Sequence, residues 1–547
     1  MVKKTLRHQN FICIVLGVVL ALSLIPIFII AGYDAAAGDD YNYGAAAHQA
    51  FLATGSLLDA IRAAWGTVLS TWQSWQGTWF DCFVFCLHPE VFSDSAYVIV
   101  PYIFLLMHFV GFLLLAHHFL KVRWKFAGNY WLQIGLIYLL FEIQLVPSQK
   151  SAFFWWVGCV HYVMPMLMAI LGIVWGDRFL MEHKAKDFVP LFIVSALMGG
   201  ATYPAALLLP IALFLLWLAD FVLGGKRDKR NILLLIPFAA LVAGLVVSMI
   251  APGNAVRAAS DIKDGADPAN GIIDTVVSSF TMSVKEAVIV FIGEKGFVLI
   301  ALLMILPLTI AAFGGALEKS LTISHNYVSD KEYDDIKKVF SHPILFVVVM
   351  FCLNASVYAP RVYAGGIVSS GYVNFNFWTF LACVIAVEIY LIGWAMLVAE
   401  IGITRKISDI PGNDSIIKNN KTVKTVNSQM IFGIVFVFLI LIIAYAARHG
   451  VKKYTDYVCM EYFLSGQADD YREQIQLQRR ILNGEGDEAV VPEINNEQGP
   501  LMQMPIVSDP DNVDNFMARI FYGKEKVWSI PRDEWIKLYG EEYGISQ

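Results

Sequence analysis

Charged residues are scarce in this chain: Asp, Glu, Lys and Arg make up 16% of its 547 residues, against 57% hydrophobic residues. Soluble domains typically carry about 25% charged residues. This shortage excludes an ordinary soluble enzyme and indicates a polytopic membrane protein. The basic residues are dispersed in short clusters, so the net charge of -6 gives no support for a nucleic-acid partner.

The sequence also lacks a Gly-rich phosphate-binding loop, a Walker-type lysine and a dinucleotide-binding fingerprint. These absences argue against an ATP-driven pump. The seven cysteines form no disulfide framework. Cys82, Cys86 and His88 are spaced like metal ligands but lack the second half of a zinc pattern, so we interpret them as buried or interfacial side chains.

Apolar runs of about 16 to 25 residues recur along the chain, and about 20 residues cross a hydrocarbon core as a helix. They predict an all-α polytopic membrane protein with about eleven transmembrane helices. The predicted spans are 11–31, 96–119, 130–147, 159–180, 188–203, 205–223, 231–251, 290–314, 343–359, 373–399 and 429–447. Between spans, 57–85 and 272–289 have the mixed polarity of helices that lie along the membrane interface.

Positive charge predicts the orientation of these helices, because cytoplasmic loops carry an excess of Lys and Arg. Lys3, Lys4 and Arg7 precede the first run, and each later loop assigned to the cytoplasm is basic. We therefore predict a cytoplasmic N-terminus, a first outer loop at 33–95 and an extracytoplasmic C-terminus in a multi-pass protein of the cell membrane.

The composition becomes that of a soluble segment near residue 448. A charged helical pattern covers 469–482, and a short apolar strand is predicted at 489–492. We divide the chain into a transmembrane module, 1–447, and a small extracytoplasmic α/β domain, 448–547. A domain of that size is marginal alone, so we expect it to pack on the outer loops.

The most reactive short segment is Gly38-Asp39-Asp40-Tyr41-Asn42-Tyr43-Gly44, at the start of the first outer loop. Adjacent side chains diverge in a loop, so only one of the two carboxylates faces a given reacting atom. One can act as a base toward an acceptor hydroxyl, while the other binds a divalent cation or orients the substrate. A solvated acidic turn is the alternative interpretation.

Several short motifs share the predicted outer side with this segment. They are Gly38-Asp39-Asp40-Tyr41, Trp75-Gln76-Gly77-Thr78, Phe154-Trp155-Trp156-Val157-Gly158, Ala251-Pro252-Gly253-Asn254 with Arg257, and Pro360-Arg361. Their order, with the long first helix, the interfacial helices and the terminal outer domain, resembles the GT-C superfamily of integral-membrane glycosyltransferases. More narrowly, the chain resembles an uncharacterised bacterial family related in organisation to the membrane glucosyltransferases that decorate surface polysaccharides.

The resemblance implies an inverting transfer of a sugar from a polyprenyl-phosphate donor to a glycan or glycolipid acceptor on the extracytoplasmic face. Asp39 or Asp40 would be the catalytic base, and Asp40 would be the ligand of a divalent cation, Mg²⁺ or Mn²⁺. Many GT-C enzymes carry a further carboxylate in a second outer loop. The loop 149–161 has none here, which leaves metal dependence open.

Cations on the same side would bind the donor phosphate. Arg257 and Arg361 are the main candidates, because a guanidinium donates two parallel hydrogen bonds, and Lys150 and His161 are lesser ones. Anchoring at the interface is the alternative role of each arginine. Aromatic side chains would stack on the sugar or the prenyl chain unless they form an interfacial belt, and the candidates are Tyr43, Trp75, Trp79 and Trp155.

Two other classes of protein share these sequence features. A polysaccharide polymerase, a ligase or a flippase of lipid-linked glycans would also have many spans and outer arginines. A non-catalytic envelope assembly protein would use the C-terminal domain to hold a partner. A flippase needs no catalytic carboxylate, so the requirement for Asp39 or Asp40 separates the classes.

Overall fold

Helices dominate the computed structural model, which describes residues 2–126, 128–222, 225, 227–265, 269–294, 298–322, 337–399, 451–495, 499–502 and 504–545. The helices of the membrane part are α1 Val2–Ala31, α2 Asp39–Thr54, α3 Leu57–Ser74, α4 Trp79–Phe85, α5 Val100–Ala116, α6 Tyr130–Gln144, α7 Trp156–Glu182, α8 Ala185–Met198, α9 Tyr203–Val222, α10 Leu235–Met249, α11 Gly253–Lys263, α12 Ile272–Glu286, α13 Val298–Thr322, α14 Pro343–Ser356, α15 Ala359–Ala364 and α16 Ser370–Gly393. The C-terminal part contains α17 Thr455–Leu464, α18 Gln467–Leu482, β1 Glu488–Pro492, α19 Val513–Tyr522, β2 Lys526–Ile530 and α20 Arg532–Tyr539.

Within these described ranges, seven helices are long and apolar enough to cross a membrane: Gln9–Ala31, Ala96–Arg123, Trp156–Glu182, Tyr203–Val222, Lys229–Met249, Ile272–Gly293 and Ser370–Val398. All of them except Ile272–Gly293 coincide with predicted spans. The architecture is therefore that of a mostly helical, multi-pass membrane protein.

Some predicted spans correspond to shorter helices. Helix α6 has 15 residues and α8 has 14, and α14 and the apolar part of α13, Leu299–Phe313, are also short. The predicted span 429–447 lies outside the described residues. The described helices therefore leave the count of eleven spans as a prediction.

The boundary between the predicted interfacial helix 272–289 and the predicted span 290–314 differs from the structure. Helix α12 continues through a π-helical stretch to Glu294, and the next helix begins at Val298. No glycine or proline interrupts the chain between Ile272 and Gly293, so nothing in the sequence ends the helix at 289.

Helix α7 lies at the centre of the membrane part, with 78% of its most apolar window buried. Small residues allow α9 to approach it closely: a Cβ added to Gly172 would lie 2.7 Å from Leu209, and one added to Gly176 would lie 2.2 Å from Leu213. Glycines four residues apart are a common means of close helix packing in membranes. The buried α7 gives its first turn a fixed position beside α2.

The C-terminal part combines helices with a small parallel sheet, in which Glu488 pairs with Lys526 and Pro492 with Ile530. Helix α18 and strand β1 fall where the sequence predicts a helix and a strand. The parallel pairing requires the crossover that contains α19, which brings that helix over the first loop.

The C-terminal part packs on the loop 33–95, as predicted. Arg479 of α18 forms an ion pair of 2.5 Å with Glu90, which is fully buried. The Gln49 amide donates a hydrogen bond of 2.6 Å to the Phe521 carbonyl of α19. The Tyr41 and Phe521 rings lie 4.8 Å apart. These contacts place the C-terminal part directly against the aspartate pair of α2.

Candidate active site

The aspartate pair forms the first turn of α2. Gly38 precedes it with φ 56° and ψ -116°, a backbone conformation that favours glycine. A Cβ at Gly38 would also lie 2.7 Å from the Cβ of Met504 in the C-terminal part. Gly38 therefore turns the chain into the helix and allows the C-terminal part to approach Asp39 and Asp40.

Asp40 is fully buried and accepts hydrogen bonds on both carboxylate oxygens. The Tyr97 hydroxyl donates to Oδ2 at 2.5 Å, and the Val157 amide donates to Oδ1 at 3.1 Å. A third donor, the Ala37 amide, lies 3.2 Å from Oδ2. Burial raises the pKa of Asp40 to about 7 against the opposing effect of these donors. Asp40 thus fastens α2 to the first turn of α7.

This donor set does not suit the cation-binding role predicted for Asp40. A metal-ligating oxygen needs a free lone pair directed at the ion. Here O–H and N–H donors already surround the two oxygens within a fully buried site. Asp40 is better suited to hold the geometry of its neighbours.

Asp39, in contrast, is partly exposed and makes no side-chain hydrogen bond with any described residue. Burial raises its pKa to about 6, the Arg257 guanidinium lowers it and the Asp514 carboxylate raises it. Tyr43, one turn along the same helix, interacts electrostatically with both Asp39 and Arg257. Asp39 is therefore the carboxylate of the pair that an incoming hydroxyl can reach.

Two of the motifs in the predicted outer loops lock together beside Asp39. The Gly77 amide donates to Asn254 Oδ1 at 3.0 Å, and Asn254 Nδ2 donates to the Ser248 carbonyl at 2.9 Å. A Cβ at Gly253 would lie 2.3 Å from the Trp75 nitrogen, so the two backbones touch. Asn254 thus does more than end the preceding helix, because it fixes the loop that carries Trp75 and Gln76.

This lock positions Arg257. Its Nη1 donates a short hydrogen bond to Gln76 Oε1, and its guanidinium carbon lies 5.7 Å from the centre of the Trp75 ring. Held at two points, the guanidinium interacts electrostatically with Asp39 and His161. Sequence reasoning placed Arg257, Tyr43, His161 and Asp39 in one site, and the structure brings these residues together.

A second carboxylate, which sequence reasoning did not select, completes this group. Asp81 of α4 is fully buried, and its Oδ2 lies 2.7 Å from His161 Nδ1. Burial raises the pKa of Asp81 well above its ordinary value. In the sequence, the position of Asp81 shortly after the Trp75 motif could have indicated that it belongs to the site. The carboxylate missing from the loop 149–161 is therefore supplied to His161 by the first loop.

Two predicted aromatic ligands have packing roles. The Trp79 indole N–H donates to the Gly244 carbonyl at 3.4 Å, and a Cβ at Gly200 would lie 2.3 Å from its ring. The Trp155 ring lies 2.5 Å from the position of a Cβ on Gly158. Each indole therefore fills the space left by a glycine, and a role of its ring in substrate binding stays a prediction.

Two predicted cations also lie apart from Asp39. Lys150 donates to the Met502 carbonyl, which ties it to the C-terminal part, and burial lowers its pKa. Arg361 of α15 interacts electrostatically with Tyr372. Tyr372 interacts with Tyr162, which in turn interacts with Arg257. Arg361 thus borders the site through two tyrosines, whereas Lys150 belongs to the interface with the C-terminal part.

No family model, curated protein or solved structure matches this chain. The chemistry of the site must therefore follow from the side chains that form it. They comprise an accessible carboxylate, a fixed guanidinium and a buried Asp–His pair. Such a set can deprotonate a hydroxyl and stabilise an anionic leaving group at the same place.

Proposed function

We propose that this protein is an inverting membrane glycosyltransferase of GT-C type. It transfers a sugar from a polyprenyl-phosphate donor to a polysaccharide or glycolipid of the cell envelope. One observation carries the proposal: the partly exposed Asp39, free of hydrogen bonds to described residues, lies beside Arg257 while its neighbour Asp40 is buried and fully bonded. In a solvated acidic turn, Asp40 would not be buried, and the two carboxylates would not differ in their hydrogen bonds.

Asp39 is the proposed base. It takes the proton of an acceptor hydroxyl as the hydroxyl oxygen bonds to the anomeric carbon of the donor sugar. The bond from that carbon to the phosphate oxygen breaks on the opposite face, so the phosphate leaves with the electron pair and the configuration inverts. Asp40 holds Asp39 in place, because its bonds to Tyr97 and Val157 fix the first turn of α2.

Arg257 is the proposed phosphate ligand. Its bond to Gln76 and its position over Trp75 orient the guanidinium before substrate arrives, which reduces the cost of ordering it on binding. The His161–Asp81 pair, which interacts electrostatically with Arg257, is the second polar group proposed to face the same phosphate. Arg361 is assigned to the outer edge of the donor site, beyond Tyr162 and Tyr372.

Arg257→Ala is expected to raise the KM for the donor by about 10- to 100-fold, since a hydrogen bond to a charged group is worth roughly 1.5–3 kcal/mol. Arg361→Ala should weaken donor use less. Initial rates against donor concentration measure both effects. Arg62→Ala is the control, because the exposed Arg62 pairs only with Asp59 among described residues. Unchanged donor dependence in Arg257→Ala would contradict the phosphate role.

The transfer rate is expected to fall as the pH drops through about 6. Asp39 must be ionised to act as a base, and its pKa is about 6, so protonation below that pH removes the active form. The charged and titratable groups that interact with it are Asp40 and Tyr43 on α2, Arg257 on α11 and Asp514 on α19. A pH profile of kcat/KM measures the acid limb, and a profile flat from pH 5 to 8 would argue against this base.

The finer topology is also part of the proposal. We propose eleven spans, a cytoplasmic N-terminus and an extracytoplasmic C-terminus in the cell membrane, with the site on the outer face. The basic loops support this orientation, and the packing of the C-terminal part on the loop 33–95 requires these two segments to share one side. Reporter fusions after Gln547 that are active only in the cytoplasm would contradict it.

The transferase assignment is tested by the glycan composition of envelopes with and without the protein. We expect one side-branch sugar to be lost in its absence. Purified protein in liposomes should also release polyprenyl phosphate from radiolabelled polyprenyl-phosphate hexoses when envelope polysaccharide from deficient cells is added. An unchanged composition together with an unconsumed donor would reject the assignment. Sugar loss that does not depend on Asp39 would favour a flippase or an assembly protein.

A further inference from the structure

The C-terminal part brings one more carboxylate to the neighbourhood of Asp39. Asp514 lies in the first turn of α19 and lines a small cavity with Gly38, Ala37 and Met504. It is also the negative group that interacts with Asp39, as Arg257 is the positive one. The cavity wall that Asp514 shares with Gly38, the residue before Asp39, and its electrostatic interaction with Asp39 thus place Asp514 beside the site.

We propose that Asp514 binds hydroxyl groups of the acceptor glycan, so that the C-terminal part forms the acceptor side of the active site. This inference rests on the proposed transferase function and goes beyond it. It assigns acceptor recognition to a residue more than four hundred positions away from the base in the sequence.

Asp514 is held in place by the packing of α19. The helix begins with Asn512, whose Oδ1 accepts a hydrogen bond of 2.8 Å from the Asp514 amide. The far end of α19 is fastened to α2, because the Phe521 carbonyl accepts from Gln49 and the Phe521 ring stacks on His48 at 4.1 Å. A substrate-binding group on a capped helix that is fastened to α2 is more precisely placed than one on a loop.

The Asp514 carboxylate itself is uncommitted. It is partly exposed and makes no side-chain hydrogen bond or ion pair with the residues that the structure describes. An ionised carboxylate offers two oxygens that accept only, which matches the hydroxyl donors of a sugar. The two oxygens of Asp514 can therefore accept hydrogen bonds from a ligand that binds beside Asp39.

The charges around Asp39 decide which substrate meets Asp514. The guanidinium of Arg257 attracts the donor phosphate, whereas the carboxylate of Asp514 repels it. A neutral polyhydroxylated acceptor suffers no such repulsion. It can place one hydroxyl at Asp39 and donate another to Asp514. The opposite charges of Arg257 and Asp514 thus favour the donor phosphate at Arg257 and the acceptor hydroxyls at Asp514.

The test compares Asp514→Asn with Asp511→Asn, a control that changes an exposed carboxylate just before the same helix. Full-length protein in liposomes receives radiolabelled polyprenyl-phosphate hexoses as donor and envelope polysaccharide from deficient cells as acceptor. We expect Asp514→Asn to raise the KM for the polysaccharide at least tenfold, while the KM for the donor does not rise, because the variant removes a charge that repels the donor phosphate. The control should behave as wild type.

A second readout separates substrate binding from a loosened structure. Asp514→Asn removes a negative charge beside Asp39, so the acid limb of the pH profile should move to lower pH, whereas a loosened C-terminal part would lower the rate without that displacement. An unchanged acceptor KM in Asp514→Asn overturns the inference and leaves the transferase assignment standing. A wild-type protein that does not consume the donor rejects the transferase assignment itself.

Discussion

Asp39→Asn is expected to lower sugar transfer by about 10²- to 10⁴-fold, the contribution of a positioned general base. The amide cannot take up the proton of the attacking hydroxyl. Asp39 makes no side-chain hydrogen bond with a described residue, so the substitution breaks no contact there and the protein should accumulate in the membrane at its normal level. Transfer assays in liposomes, normalised to protein amount, measure the loss.

Asp40→Asn supplies the contrast. The new amide would direct one N–H₂ toward donors that now serve the carboxylate, the Tyr97 hydroxyl and the Val157 amide. Leaving buried donors unsatisfied costs about 1–3 kcal/mol each, so this variant should lose stability together with activity. Asp59→Asn, on the exposed part of the same loop, is the neutral control. Full activity in Asp39→Asn would reject Asp39 as the base.

The sequence identified the segment that holds the proposed base but could not assign separate roles to its two aspartates. Asp39 and Asp40 are chemically identical neighbours, and only the helix that begins at Asp39 directs one side chain into the protein and the other toward the surface. Successive helical residues point about 100° apart. Which carboxylate is buried depends on the element that packs against α2. That element is α7, whose Val157 amide donates to Asp40.

Long-range contacts explain what the sequence analysis missed. Asp81 becomes relevant only through His161, and Asp514 only through the packing of α19 on α2. Arg257 could be selected from the sequence because its motif lies at the predicted end of a span. Helices such as 11–31 and 205–223 could also be predicted, because the length of an apolar run is enough to identify a spanning helix.

Arg479→Met should detach the C-terminal part from the membrane part. Glu90 is fully buried, and its Oε2 accepts from both Arg479 and the Ala36 amide, with the Arg479 bond at 2.5 Å. Burial already raises the pKa of Glu90 to about 7 despite the guanidinium. Removing one partner of a buried ion pair typically costs 3–5 kcal/mol, because the other charge stays uncompensated. Limited proteolysis between 448 and 547 and the transfer assay measure the effect.

The double variant Glu90→Gln with Arg479→Met shows whether protease resistance falls because the ion pair is lost or because the buried charge of Glu90 is left unpaired. If the cost comes mainly from the unpaired Glu90, neutralising it should restore much of the protease resistance that Arg479→Met loses. Arg480→Met is the matched control, because the exposed Arg480 follows Arg479 on the same helix and its side chain makes no hydrogen bond or ion pair with a described residue. Wild-type proteolysis and transfer in Arg479→Met would show that the contacts of Tyr41 and Gln49 with α19 suffice to hold the C-terminal part against α2.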